Sequence, residues 1–379
     1  MQRARRVEPA CPPALRWSCV VLSGLRLKYN PALDGMRAVA IVLVFLSHAH
    51  VPMFDGAFFG VDLFFVLSGY LITSLLLKEN QQAGRFDYGR FYLRRFLRLA
   101  PALLLFLACY WLFAPLVWPD LDDVSQDVIV SALYLADYGI AFFDSPGTLL
   151  HMWSLSVEEH FYLVWPPLLA LLLAQTARRQ LWRPVLLLVV LMWVWRAYWV
   201  ADGQQFYEIF FRFDTRATGM LLGSLLAVVA VHRRDWMDAL HARQKYLLWL
   251  LPVVPFLIVG YKWDDAGALL WGFSLIELAA VAVIVAVHKH SGALYEMLSL
   301  PALVWVGKMS YGIYLWHYPV VRYLRANMDW EWVVLLGLPL SAALAAMSFY
   351  TVERWALRWR DRSSARRPVR TVPTTARTA

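Results

Sequence analysis

The sequence predicts an all-α polytopic integral membrane protein with about ten transmembrane helices and both termini cytoplasmic. Three observations carry this expectation. Of 379 residues, 60% are apolar or aromatic and only 17% are charged, against roughly 25% charged in ordinary soluble domains. Mean hydropathy is +0.51, and 19 Trp and 21 Phe suit a lipid solvent and its interfaces. The apolar residues gather into stretches of about 17 to 25 residues, the length that crosses a hydrocarbon core.

Those stretches run Met36–Pro52, Ala57–Leu77, Leu99–Trp118, Ser154–Leu173, Trp182–Ala201, Phe213–Val231, Tyr246–Tyr261, Ala268–Val287, Ala302–Val321 and Val333–Val352. A further segment, Val128–Phe143, is apolar but interrupted by Asp137 and Gly139, and is expected as a helix lying at the surface. Residues 1–28 are expected as a basic cytoplasmic extension, 29–353 as the membrane domain, and 354–379, rich in Arg, Ser, Thr and Pro, as a disordered basic tail. No internal repeat or inverted half-to-half symmetry of the transporter kind is evident.

Charge sets the orientation. Of 36 Lys and Arg, 30 fall with the termini and even-numbered connections, and 6 with the odd-numbered ones: Arg196, Arg212, Arg216, Lys262, Arg322 and Arg325. The cation-rich side is the cytoplasmic one. The connection Pro119–Met152, with six Asp and no Lys or Arg, belongs outside. The net charge of +9 is therefore topology information, and no nucleic-acid partner is expected. Cys11, Cys19 and Cys109 are too few and scattered for a disulfide framework or a metal site, and no bound metal is expected.

An ionisable side chain inside a span costs about 2.5–3.5 kcal/mol on insertion scales, so each calls for a reason. In the first span Arg37 and His48 are eleven residues apart, about three turns and 16 Å, on one helical face. Ile41, Val44 and Phe45 lie between them. Two readings stand at this point: a snorkelling arginine with a structural histidine, or two ends of one site. Counting depth along each span places His48 and Glu158 in one outer layer, joined by His317, Asp62 and the cluster Arg212, Asp214, Arg216. An imidazole with an orienting carboxylate is what general acid/base chemistry requires. Glu158 also admits a salt bridge to Arg212 or Arg216, and Asp62 and Asp214 read as structural partners.

The opposite layer is cationic, with Arg37, Arg90, Arg94, Arg95, Arg98 and Lys308. Arginine forks suit phosphates, while the same residues also serve as headgroup anchors. A donor with phosphates at one end and a reactive group some 15–20 Å away, the shape of coenzyme A, spans the two layers.

Six segments in a fixed order resemble the membrane-bound acyltransferase-3 family: YNPALDGMRAVAIVLVFLSHA, GVDLFFVLSGYLI, FYLRRFLRLAP, WSLSVEEHFYLVWP, RFDTRATGMLLGSLLA and GKMSYGIYLWHYPV. The resemblance runs from about Tyr29 to Glu353. It implies a membrane O-acyltransferase that takes an acyl group, most simply acetyl, from acyl-CoA to a hydroxyl of a carbohydrate or other cell-surface or secondary-metabolite acceptor. By that resemblance His48 is the base and Glu158 its partner, and Arg37, Arg95 and Arg98 meet the donor. Arg212, Asp214 and His317 are further substrate-binding candidates. The lipid bilayer of a bacterial plasma membrane is the expected setting. Two departures from the family pattern, His160 and Met309, lie outside this set. Some relatives carry a fused hydrolase-like domain after the last span, which the 26 residues beyond Glu353 do not accommodate.

Gly60, Gly69, Gly219 and Gly223 are expected to permit close helix packing, and Ser68 to sit at a helix crossing rather than act as a nucleophile. Glu277, alone in its span, is expected to pair with a cation. The competing class is a transporter or flippase whose polar layers form a permeation path, which the motif order and lack of repeats disfavour. No residue distinguishes among possible acceptors.

Overall fold

The computed structural model describes residues 29–358 apart from 122 and 263, and these form no strand. The expected extension 1–28 and residues 359–379 lie outside the described residues. In chain order the helices are α1 (Pro31–His48), α2 (Gly60–Ala83), α3 (Tyr88–Val117), α4 (Val124–Ala132), α5 (Ala136–Phe143), α6 (Met152–Gln175), α7 (Trp182–Ala201), α8 (Phe206–Phe210) and α9 (Phe213–Arg216). They continue as α10 (Thr218–His232), α11 (Arg234–Ala242), α12 (Gln244–Leu247), α13 (Val253–Gly260), α14 (Phe273–Val287), α15 (Ala293–Leu298), α16 (Pro301–Arg325) and α17 (Trp330–Ser348).

The ten expected segments are helical in whole or in large part. Seven helices among the described residues have the length and apolar character of a full crossing, and an eighth is the pair Arg234–Ala242 and Gln244–Gly260, bent by 67°. Two expected spans differ. Helix α10 has only 15 residues, and α16, at 25 residues, carries Lys308, His317 and several Tyr and Trp that lower its hydropathy.

Local chemistry sets several boundaries. Asn30 accepts from the Ala32 N–H and Pro31 opens α1, a start signal that leaves no needed donor unused. Asp87 caps α3 through the Arg90 N–H, and Gly84 ends α2 with a φ of 70°, which a glycine adopts without steric cost. The last helix does not stop at residue 353. A π-helical turn, Phe349–Glu353, carries it on through 354–358, where no Gly or Pro falls; residues 354–358, expected as the start of a disordered tail, are therefore helical.

Two seams of small residues hold the bundle together. A Cβ on Gly307 of α16 would collide with the Asp34 carbonyl of α1, and one on Gly35 with the Leu298 carbonyl. A Cβ on Gly69 of α2 would strike the Met220 carbonyl, and one on Gly223 of α10 the Val66 carbonyl. Backbones this close gain dispersion and interhelical polar contacts where lipid offers no hydrophobic driving force. Thr73 donates to Ser224 at 2.7 Å and accepts from the Trp165 indole at 2.7 Å, tying α2, α10 and α6 together. Helices α1 and α16 run parallel, since Asp34 meets Gly307 near their starts and His48 meets His317 and Arg325 near their ends. Helix α17 returns against α16, with Gly337 beside Leu324 and Gly312 beside Ala345.

The segment Val128–Phe143 is not one surface helix. Helix α4 descends along α3, with Ser125 bonded to Trp111 and Ala132 facing Leu104 across a shared cleft. Tyr134, at a φ of 54°, turns the chain, and α5 climbs beside α6, where the Ala136 N–H donates to Ser156. Asp137, which looked like a break in apolarity, is fully buried and bonded to His160 at 2.9 Å. A polar residue satisfied by a neighbouring helix can be inserted where sequence alone places it at a surface.

Gly223→Ala is expected to cost about 1–3 kcal/mol by overpacking the α2–α10 seam, seen as a lower midpoint in detergent thermal melts. Gly260→Ala, where a Cβ would meet nothing nearer than 4.0 Å, should leave the midpoint within a degree or two of the unmodified chain.

Candidate active site

Helix α1 is unbroken from Arg37 to His48, its last residue, so the two lie at opposite ends of one helical face, about 16 Å apart along the axis. At the Arg37 end, the Arg37 guanidinium donates to Asp34 at 2.8 Å, Tyr29 donates to the other Asp34 oxygen at 2.7 Å, and Lys308 lies 5.5 Å over the Tyr29 ring. Arg98 is exposed, next to Leu99, whose carbonyl accepts at 3.0 Å from Tyr311, three residues beyond Lys308 on α16.

At the His48 end, His48 Nδ1 lies 2.9 Å from His317 Nε2, and His317 Nδ1 lies 2.6 Å from the Tyr314 carbonyl. His317 is fully buried. These contacts fix the protons. A carbonyl only accepts, so His317 Nδ1 carries a hydrogen; in the neutral ring Nε2 then holds a lone pair and must accept from His48 Nδ1–H. His48 is left with a bare Nε2. Protonating that nitrogen makes the Nδ1–H bond to His317 charge-assisted and stronger. A His–His pair of this kind can orient an imidazole and stabilise its protonated form as a carboxylate does elsewhere.

A third imidazole completes this wall. The His151 ring, 1% exposed, stacks on Tyr318 at 4.8 Å and meets the His317 ring edge-on at 5.7 Å. Tyr314 donates to the His151 carbonyl at 2.7 Å. Pro319 lacks the N–H that would bond the Leu315 carbonyl four residues back, and the His151 ring lies beside that freed carbonyl. His48 lines an open cleft of about 360 Å³ shared with residues of α16.

Glu158 is elsewhere. It lies seven residues beyond His151 on α6, about 10 Å deeper along the axis. Its carboxylate accepts from Ser68 at 2.8 Å and from the Tyr162 hydroxyl at 2.8 Å. The Arg95 guanidinium covers the Tyr162 ring at 3.5 Å. The shared layer expected for His48 and Glu158 therefore does not form, because α1 ends at His48 while α6 starts level with it and carries Glu158 two turns further on. The group bonded to His48 is His317. Ser68 and Tyr162 belong with Glu158, and Arg95 is turned inward rather than standing with Arg98.

The remaining predicted residues form structural pairs. Arg212 and Asp214 make a bidentate bridge at 2.9 and 2.5 Å, with Trp195 donating to Asp214 at 2.7 Å, so they do not join His48. Arg216 and Asp62 pair at 2.9 Å, both fully buried, and Arg216 rests 3.7 Å over Phe273. Glu158 thus has neither of the salt bridges weighed for it. Glu277 accepts from Thr218 at 2.7 Å, and Arg196 bridges Thr218 and Ser274, so the isolated glutamate joins a four-charge cluster with Asp62, Arg216 and Arg196.

Comparison with known families decides the identity. A model described as an acyltransferase domain, Acyl_transf_3, matches residues 30–351. The chain belongs to the acyltransferase-3 family. Among curated relatives, the peptidoglycan O-acetyltransferase OatA of Listeria monocytogenes is 30% identical over 345 residues, covering 86% of this chain and 55% of its own. A Bacillus subtilis protein provisionally named a peptidoglycan O-acetyltransferase is 33% identical over 351 residues, with the same coverage of 86% and 55%. A Staphylococcus aureus protein provisionally named an O-acetyltransferase is 30% identical over 370 residues, covering 89% of this chain and 60% of its own. This acyltransferase-3 chain thus spans somewhat more than half the length of the curated relatives it matches. No solved structure matches it.

Around these residues, sequence reasoning missed His151, Tyr314, Tyr318 and Tyr162. His151 sits just before the apolar run that marked the fourth span. The three tyrosines passed for interface-belt aromatics.

Removing one partner of the buried Arg216–Asp62 pair strands a charge. Arg216→Ala is expected to cost about 3–5 kcal/mol, and Arg216→Met with Asp62→Asn to recover most of it, as read by thermal melts and yield of folded protein in detergent.

Proposed function

We propose that the chain transfers an acetyl group from acetyl-CoA, bound from the cytoplasmic side, to a hydroxyl of a carbohydrate acceptor on the opposite side of a bacterial plasma membrane. In this reading the Arg37 end and both termini face the cytoplasm. The observation that carries it is the bare Nε2 of His48, left by the Tyr314–His317–His48 bond sequence on the same helix that begins beside Arg37. The support for a carbohydrate is the peptidoglycan in the names of the Bacillus subtilis and Listeria monocytogenes relatives.

Arg37, Arg98 and Lys308 hold the donor's phosphates, and the thioester reaches up to His48. Nε2 accepts the proton of the acceptor hydroxyl as its oxygen attacks the thioester carbonyl. The tetrahedral intermediate collapses, the C–S bond breaks, and the coenzyme A thiolate takes the proton from His48 to leave as the thiol. His317 holds the base in the required tautomer throughout. Direct transfer suits the geometry better than an acyl-enzyme, since Ser68 is bonded to Glu158 about two turns of α6 away from the His48 wall. Glu158, Tyr162 and Arg95 then line the way between the two layers and position the donor's arm.

Roles and magnitudes follow. His48→Ala should abolish label transfer from radiolabelled acetyl-CoA into extractable glycan, lipid or small-molecule fractions of inside-out vesicles, at unchanged protein level. His317→Ala should lower kcat by about 10²–10⁴, because His48 loses the acceptor that fixes its tautomer. Glu158→Gln should act mainly on the KM for acetyl-CoA. A Glu158→Gln protein as inactive as His48→Ala, with normal donor binding, would return the orienting role to the carboxylate.

A further inference from the structure

Helix α16 runs two turns past His317 and presents Tyr318, Val321, Arg322 and Arg325 along one face, at the spacing that aligns helical side chains. With His48 and Ala326 these residues line the cleft of about 360 Å³ over the base. Arg325 donates at 2.9 Å to the His48 carbonyl, the last of α1, which places one edge of its guanidinium beside the catalytic ring. Arg322 lies 5.4 Å over the Trp118 ring at the end of α3.

Neither guanidinium is within ion-pair distance of a carboxylate among the described residues. Other arginines of the same sparse set are committed: Arg212 to Asp214, Arg216 to Asp62, and Arg196 to Thr218 and Ser274. Cations are depleted on this side of the chain, and two that stand together repel each other. A stability role accounts for only one of the five donors of Arg325, the one that caps α1. The remaining forks point to an oxyanion, which guanidinium groups bind in bidentate fashion.

We propose that Arg322 and Arg325 form an anion subsite for the acceptor, so that the molecule acylated carries a carboxylate or phosphate beside the reacting hydroxyl. The proposal rests on the acyltransferase reading. The anion docks on α16, and the neighbouring hydroxyl falls toward His48 Nε2 at the cleft floor. The subsite fixes which hydroxyl of a polyhydroxylated sugar reaches the base, because only one next to the anion fits the reach from Arg322 to His48.

The test uses the full chain in nanodiscs of phosphatidylcholine, which carries no net charge. Equilibrium binding is measured with three probes: the methyl glycoside of N-acetylmuramic acid (carboxylate), its carboxamide (neutral) and N-acetylglucosamine 1-phosphate. At least one anionic probe is expected to bind about tenfold more tightly than the carboxamide, and whichever binds better names the anion. Arg322→Gln should remove most of that preference and leave carboxamide binding unchanged, with Arg322→Lys keeping part of it. Arg325→Gln should act in the same direction, but it also uncaps α1, so Arg322→Gln, which breaks no backbone bond, decides.

Equal binding of all three probes by the unmodified chain, or an equal loss of all three in Arg322→Gln, would overturn the subsite. An Arg322→Gln protein that keeps the anion preference but loses affinity for vesicles of anionic lipid would assign the arginines to headgroups, and would overturn it as well. Transfer of label from acetyl-CoA to the same probes, run in parallel, separates the two claims. Transfer without anion preference sinks the subsite alone, whereas no transfer to any probe or host acceptor sinks the acyltransferase reading.

Discussion

The close approach of α1 to α16 is the constraint from which the site follows. Gly307 lets the two backbones touch where any Cβ would collide with the Asp34 carbonyl, Gly35 does the same for α1 against the end of α15, and two parallel helices pinned near their starts stay in register along their length. That register brings His48 to His317 and Arg37 to the level of Lys308. The hydrogen bonds of His48 are individually modest, about 1 kcal/mol each by the usual reckoning, and could not hold α1 in place unaided. Packing positions the groups, and hydrogen bonding then selects their protonation.

The second seam, α2 on α10, frames a different device. Asp62, Arg216, Arg196 and Glu277 are all essentially buried, and a cluster of two acids and two guanidinium groups is neutral as a whole while each member alone is costly. Arg216 also rests among the rings of Phe273, Phe210 and Trp153, which stabilise a cation where water is excluded. The cluster links α2, α7, α9, α10 and α14. It thereby ties these five helices together through charge rather than apolar contact alone.

Legibility in the sequence tracked the range of the interaction that decides each feature. Long apolar runs are local, and helices appear where they predict them, with α7 matching its expected bounds at both ends. Arg37 and His48 share one helix, so their common face could be read from spacing alone. The relation of Glu158 to His48 depends on the relative depth of two helices, which apolar edges do not fix: His151, polar and just outside the counted run, is the α6-end residue that stands level with His48, since both meet His317. Asp137 and Asp62 show the same limit. Asp137 looks like an interruption, and Asp62 like a structural partner with no cation assigned, until His160 and Arg216 arrive from distant segments. Glycines were the better guide, since Gly69 and Gly223 have the packing role expected of small residues.

The proposed placement of the base between two compartments has an electrical consequence. With donor and acceptor on the sides proposed, the proton leaves a hydroxyl at the outer cleft, rests on His48, and departs on a thiol released into the cytoplasm. The acyl group passes the other way as an acylium equivalent, so coenzyme A and the acceptor each keep their charge and every turnover is electroneutral. A net charge carried fully across would be worth about 2.3 kcal/mol per 100 mV, whereas this balanced exchange leaves the membrane potential neither driving nor opposing the completed reaction. On that mechanism, one imidazole at the end of α1 passes acyl groups outward without electrical work.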